Sequence, residues 1–340
     1  MIDSCNRNID YIRISLTDRC NLRCVYCMPE EGVELLPHEK ILTYEEILRL
    51  CRCFAQLGIH KVKLTGGEPL VRRGVPWLVE QLKQIDGIDN VTITTNGILL
   101  TEQMEALHQA GIDGVNISLD TLDKEAFRQL TRFDSLDRVL RGIDKALEYP
   151  DVTTKINCVP LGGETAEQTI IRMAGLAKDR PLHVRFIELM PIGMGKELAG
   201  SDEETLKTII SRAYGPMTPY EEILGNGPGV YYGLEGFLGK IGFISAVSHK
   251  FCHKCNRIRL TSEGILKNCL QYGGGVNLRD AINAGYTDEE LTRLIHDTIE
   301  QKPAGHHFGE GRAEEGVSGD IETSGEESGA ERKGMSQIGG

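Results

Sequence analysis

Tyr11-Ile12-Arg13-Ile14-Ser15-Leu16-Thr17 runs straight into Asp18-Arg19-Cys20-Asn21-Leu22-Arg23-Cys24-Val25-Tyr26-Cys27. The first seven residues alternate apolar and polar side chains, the period-two pattern of a strand with two unlike faces. The residues that follow form a loop with cysteines at CxxxCxxC spacing. A ligand-bearing loop straight after a strand is what a β/α barrel presents at the end where active sites are built. Similar short β-branched runs recur at residues 61–65, 91–95, 114–119, 153–159 and 183–190. Helical periodicity fills the gaps. The clearest helix opens on Thr43-x-x-Glu46, a capping box, spaces Ile47, Leu50, Cys51, Phe54 and Leu57 helically, and stops at Gly58. Six βα units predict an α/β fold, a partial (β/α)6 TIM-like barrel with a parallel sheet.

The polar member of each alternation carries a second message. Arg13, Ser15 and Thr17 share one strand face, as do Lys61, Lys63 and Thr65, then Thr92, Thr94 and Asn96, then Asn116, Ser118 and Asp120, then Lys155 and Asn157, then His183 and Arg185. A sheet with one wet face would show the same pattern. Crossover helices cover the outer face of a parallel sheet, however, so the polar face is expected to line a cationic lumen. After residue 190 the repeat weakens through Gly225-Asn226-Gly227-Pro228-Gly229 into a β-like region at 231–247 and a second triplet, Cys252-x2-Cys255-x13-Cys269. The expected organisation is a barrel core at 1–215, a mixed or β extension at 216–303 carrying the second triplet and part of the substrate site, and a flexible acidic tail at 304–340 ending in Gly339-Gly340.

The 340 residues carry a formal charge of −12. Eight acids against three basic residues in 304–340 account for −5 of it, leaving −7 for the rest. No Lys/Arg block appears, which argues against nucleic acid, so an anionic ligand must be held by a few placed cations. No stretch approaches the roughly 18 apolar residues of a membrane span, and the start lacks a leader pattern. A cytoplasmic protein is expected. There ten cysteines point to metal or redox roles rather than disulfides.

Each triplet is one thiolate short of a closed site. A four-iron cluster normally takes a cysteine on each iron, so three cysteines leave one iron open to a small molecule. The alternative is structural zinc, with Cys24, Cys27, Cys252 and Cys255 round one ion; it strands Cys20 and Cys269. CxxxCxxC after a strand, with Gly66-Gly67-Glu68-Pro69 after the second strand, favours iron–sulfur.

Cys20-Asn21-Leu22-Arg23-Cys24-Val25-Tyr26-Cys27 with Gly66-Gly67-Glu68-Pro69 resembles the radical S-adenosylmethionine superfamily. The resemblance implies that the first cluster binds S-adenosylmethionine and reductively cleaves it to methionine and a 5′-deoxyadenosyl radical, which the protein positions and shields. It places Tyr26 near the adenine, the Gly66–Pro69 backbone at the amino group, and Thr94, Ser118 and Met190 along the remaining cofactor contacts. A narrower resemblance rests on residues 11–20, on Phe251-Cys252-x2-Cys255-Asn256-Arg257-Ile258-Arg259-Leu260-Thr261, on Cys269-Leu270 and on Gly339-Gly340. These are similar to the molybdenum cofactor biosynthesis protein A family, GTP 3′,8-cyclases.

That family implies two [4Fe-4S] clusters, the second at Cys252, Cys255 and Cys269 and meeting the guanine. It further implies GTP as substrate, with C3′ radical attack on C8 giving (8S)-3′,8-cyclo-7,8-dihydroguanosine 5′-triphosphate. Arg13, Lys61, Lys63, Lys155, Arg185, Arg257 and Arg259 match its basic substrate-pocket positions, and arginine's planar fork suits phosphate. Gly339 and Gly340 match a functional tail. The acidic segment 309–333 and Gly162-Gly163-Glu164 depart from the family pattern. Expected partners are a second copy of the chain, a flavodoxin or ferredoxin as reductant, and a cyclic pyranopterin monophosphate synthase that takes the product. Rival readings are a radical peptide maturase and a zinc-stabilised nucleotide- or RNA-binding module. Cys5, Cys53 and Cys158 match no ligand position, and Cys51 reads as helix core.

Overall fold

The structure, a computed structural model, describes residues 1–163, 165–308 and Ile338. Its first half alternates strands and helices as the periodicity predicts. The strands are β1 (Tyr11–Ser15), β2 (Lys61–Thr65), β3 (Asn90–Thr95), β4 (Gly114–Ser118), β5 (Thr153–Cys158) and β6 (His183–Ile187). Between and after them lie α1 (Tyr44–Gln56), α2 (Val75–Lys83), α3 (Leu100–Gln109), α4 (Lys124–Thr131), α5 (Leu136–Leu147), α6 (Ala166–Gly175) and α7 (Glu203–Tyr214). Strands β1, β4, β5 and β6 stop one to three residues before their expected ends. Beyond the end of β1, Thr17 takes the Arg19 N–H on its hydroxyl instead of continuing the ladder.

Helix α1 forms for the expected reason. The Thr43 hydroxyl accepts from the Glu46 N–H and the Glu46 carboxylate accepts from the Thr43 N–H, so two orphan donors of the first turn are satisfied. Ile47, Leu50, Cys51 and Phe54 are fully buried. They join a core with the apolar alternates of the strands, including Ile12, Ile14, Val62, Leu64, Val91, Ile93, Val115, Ile117, Ile156 and Val184. The core therefore lies between sheet and helices, and the polar alternates turn the other way.

The remaining strands are β7 (Thr218–Tyr220), β8 (Val230–Gly233), β9 (Ile241–Ile244), β10 (Arg257–Leu260), β11 (Ile265–Lys267) and β12 (Val276–Asn277), followed by α8 (Leu278–Asn283) and α9 (Asp288–Glu300). They extend the first sheet at both edges. The order is β12-β11-β10-β1-β2-β3-β4-β5-β6-β9-β8-β7, with β10 parallel to β1, β9 parallel to β6, and the outer pairs antiparallel. Residues from β1 to β6, β9 and β10 all line one cavity. The sheet wraps round a polar interior, as the alternation requires.

His306 and Phe308 are buried, so chain continues to pack as far as 308. The acidic segment 309–333, Glu164, Gly339 and Gly340 lie outside the described residues.

Candidate active site

The CxxxCxxC loop is braced on three sides. Helix α4 meets it end on: the Arg23 N–H donates to the Thr131 carbonyl at 3.0 Å and the Val25 N–H to the Leu130 carbonyl at 2.9 Å, which satisfies acceptors that a helix end leaves open. Arg132, just past α4, donates to the carbonyls of Arg23 and Met28 at 2.7 and 3.1 Å. Bonds from the Cys27 and Met28 N–H groups to the Cys24 carbonyl close a turn round the second half of the motif.

The third brace explains Gly66-Gly67-Glu68-Pro69. Gly67 N–H donates to the Thr17 carbonyl at 2.7 Å and Glu68 N–H to the Arg19 carbonyl at 2.8 Å, so this segment is stitched to the strand that leads into Cys20. A Cβ on Gly67 would lie 2.4 Å from the Arg19 oxygen, and one on Gly66, whose φ is +155°, 2.6 Å from the Thr17 oxygen. Only glycine permits that approach. The Glu68 carboxylate accepts from Leu70 N–H, Thr95 hydroxyl and Asn96 N–H at 3.0, 2.7 and 2.6 Å. Burial raises its pKa to about 7 against the pull of those bonds. The carboxylate therefore ties the ends of β2 and β3 together.

All six motif cysteines line one cavity, with Tyr26, Gly66, Gly67, Glu68, Thr94, Ser118, Met190, Arg13, Arg257 and Arg259. Pro69 is buried beside it at the start of a short 3-10 turn. Asp120 accepts from the Tyr26 hydroxyl at 2.7 Å and from the Val159 N–H at 2.8 Å. It thereby fixes the Tyr26 ring.

Arg13 stands in register with Lys63 on one side and Arg259 on the other. Burial lowers the pKa of Lys63 well below its ordinary value, and Arg185, Arg13 and Lys155 lower it further. Burial and then Arg185 bring Lys155 down to about 7. Burial, then Lys155, Lys240 and Arg185 bring His183 to about 4. The lumen is cationic. Lys61 stands apart: it pairs with Asp10 at 2.8 Å and, with Arg185, lines a second pocket under the loop around Gly225–Gly229.

The thiols of the two triplets differ. Burial foremost, with Glu68 and Cys27 adding, pushes Cys20 up to about 12, and burial with Cys27 and Asp120 raises Cys24 well above its usual value. Burial also pushes Cys255 up, but Lys302 and Arg257 outweigh it and bring that thiol down to about 7. No three His, Cys, Asp or Glu side chains among the described residues are grouped as ligands of a single metal ion, the arrangement structural zinc requires. Cys51, Cys53 and Cys158 are buried and Cys5 is exposed.

The Radical SAM superfamily pattern matches residues 14–174, and that of Molybdenum Cofactor Synthesis C matches 182–308. A GTP 3′,8-cyclase of Syntrophomonas wolfei is 49% identical over 318 residues, covering 93% of this chain and 97% of that one. The chain belongs to the GTP 3′,8-cyclase family of the radical SAM superfamily. A GTP 3′,8-cyclase of Clostridium perfringens is 46% identical, with 91% and 95% of the two chains covered. Molybdenum cofactor biosynthesis protein 1 of Dictyostelium discoideum is 43% identical over 90% of this chain and 49% of its own. Streptococcus suis SuiB bound to precursor peptide SuiA shares the fold at a TM-score of 0.57, with 16% identity over 87% of this chain and 67% of that one. Membership in the superfamily implies a [4Fe-4S] cluster and S-adenosylmethionine, and a half-buried loop of three thiols lining a cavity fits that pair.

Several site residues escaped the motif reading. Asn96 Nδ2 donates to Asn21 Oδ1 at 2.7 Å and approaches Cys20 Sγ at 3.9 Å, linking the cluster loop to β3. Its place on the polar face of β3 was the available signal. Arg7, Lys302 and His306 also line the cavity; nothing in their local sequence marks them.

Proposed function

We propose that this chain is a GTP 3′,8-cyclase of molybdenum cofactor biosynthesis, with the first triplet holding the cluster that binds S-adenosylmethionine and the second triplet holding another [4Fe-4S] cluster. The observation that carries the reading is one cavity lined by both cysteine triplets together with Arg13, Arg257 and Arg259. Bound there, cluster and S-adenosylmethionine supply a 5′-deoxyadenosyl radical.

The chain's own residues do the rest. Tyr26, held by Asp120, flanks the adenine, and the Gly66–Pro69 backbone with Thr94, Ser118 and Met190 surrounds the remainder of the cofactor. Arg13, Lys63, Lys155, Arg185, Arg257 and Arg259 hold the triphosphate, whose negative charge offsets the mutual repulsion of these buried cations. Lys61, paired with Asp10, contributes from the second pocket, which it shares with Arg185. The reacting atoms C3′ and C8 belong to one nucleoside, so catalysis requires one fixed conformer and exclusion of other hydrogen donors. Gly339 and Gly340 act as a tail at this site.

The chain works as a cytoplasmic homodimer, reduced by a flavodoxin or ferredoxin, and passes its product to a cyclic pyranopterin monophosphate synthase. The functional division is a radical core at 1–215 and a substrate and second-cluster region at 216–303. No helix among the described residues is long and apolar enough to cross a membrane. Anaerobic incubation with reductant, S-adenosylmethionine and GTP tests the activity: a cyclised guanine nucleotide is expected alongside methionine and 5′-deoxyadenosine. Cleavage of S-adenosylmethionine with GTP recovered intact refutes it.

A further inference from the structure

Two buried cations line the cavity beside the second triplet, Arg7 and Lys302, and the reading above gives neither a role. Arg7 uses its whole guanidinium. Nε and Nη2 reach the Asp3 carboxylate at 2.7 and 2.6 Å; Nη1 donates to the carbonyls of Cys252 and Ala304 at 3.1 and 3.3 Å; Nη2 donates also to those of Lys302 and Pro303 at 3.1 and 2.9 Å. Asp3 is fixed in turn by the N–H groups of Arg7 and Cys5. The Lys302 ammonium donates to the Arg257 carbonyl at 2.9 Å and to the Asn268 carbonyl.

The targets form a pattern. Cys252 is itself a triplet member, Arg257 lies two residues past Cys255, and Asn268 directly precedes Cys269. Each of the three sulfur-bearing segments thus has a carbonyl, at or near its cysteine, in the grip of one of the two cations. The backbone that follows Lys302 runs alongside the same site, for a Cβ on Gly305 would lie 3.6 Å from Cys252 Cβ and 3.7 Å from its sulfur.

Charge distinguishes the two. Arg7 is answered by Asp3, whereas Lys302 forms no carboxylate ion pair among the described residues and has the sulfurs of Cys255 and Cys269 within Coulombic reach. A buried ammonium is costly without an opposing charge. Three thiolates on an iron–sulfur core would supply one.

We infer that Arg7 and Lys302 are positioning residues of the second cluster: together they hold the three cysteine-bearing segments by their carbonyls, and Lys302 places a positive charge beside the thiolate cage. The inference rests on the two-cluster reading above. Its test uses the full chain reconstituted anaerobically, as wild type, Lys302→Met, Arg7→Lys and, as a one-cluster reference, Cys252→Ser. Iron and sulfide per chain, the electron paramagnetic resonance spectrum and the midpoint potential of each cluster are measured.

Wild type is expected to hold about eight irons and the reference about four. Lys302→Met is expected to lower the second cluster's midpoint potential, because a nearby positive charge favours the reduced form, and to lose iron toward the reference value. Arg7→Lys, which keeps the charge but not the fork, is expected to lose iron from the second cluster with a smaller change in potential. The first cluster's signal stays in both. If Lys302→Met does not fold, Lys302→Gln, which keeps a donor without the charge, takes the same measurements. A wild type with about four irons overturns the two-cluster reading and this inference with it. A wild type with about eight, matched by the Lys302 and Arg7 variants in iron and potential, overturns this inference alone.

Discussion

Lys155 is buried beside Arg185, and burial, then that guanidinium, brings its pKa down to about 7. A triphosphate next to it favours the ammonium and raises that value. Below pH 7 the side chain is charged with or without nucleotide; above it, the empty protein has released a proton that the complex keeps. GTP affinity is therefore expected to fall as pH rises from about 7 toward the pKa of the complex, by up to ~tenfold per pH unit. Calorimetry near pH 8 in two buffers of different ionisation enthalpy is expected to register proton uptake on binding, and Lys155→Met to reduce it, with Lys63, whose pKa is also lowered by burial, able to supply the remainder. Gly67 is a steric case. Gly67→Ala puts a methyl 2.4 Å from the Arg19 oxygen, so loop 17–19 must move. Overpacking of this kind costs about 1–3 kcal/mol. The variant is expected to fold with a lowered denaturant midpoint and to lose the first cluster's iron while keeping the second's.

Among the elements, α9 decides more than its distance from the cavity suggests. It packs on α1, and the chain leaving it delivers Lys302 two residues past its end. Its start is a capping box in which Thr287 and Glu290 satisfy each other's N–H groups. Thr287→Ala is expected to cost about 1 kcal/mol, read by denaturant unfolding. Helix α1 and the six βα strands were legible because period and caps are local properties. Strand ends were not: a polar residue at the last strand position reads the same whether it continues the ladder or turns into the site. The partner of β10 was illegible for another reason. Arg13 and Arg259 are register neighbours, yet nothing near either residue encodes a pairing across most of the chain.

At the level of the whole molecule, one continuous sheet carries both triplets, so each can be emptied without dismantling the other. Cys252→Ser is expected to retain the first cluster, with about half the wild-type iron, and to abolish cyclised nucleotide. Iron analysis beside product chromatography checks both halves of that statement. A loss of all iron would mean that the two sites assemble as a unit.

Local order and family were legible in the sequence alone: alternation decides which strand face is polar, and CxxxCxxC with Gly66-Gly67-Glu68-Pro69 and the second triplet marks the family, because these are properties of neighbours along the chain. The Glu68 tie between β2 and β3, Asp120 fixing Tyr26, and the grip of Arg7 and Lys302 on three cysteine-bearing segments were decided only by the tertiary structure. Each depends on a hydrogen bond or charge contact between groups tens to hundreds of residues apart. Such contacts leave no periodic trace in a sequence, since a buried ion or carboxylate is recognisable only by what closes round it.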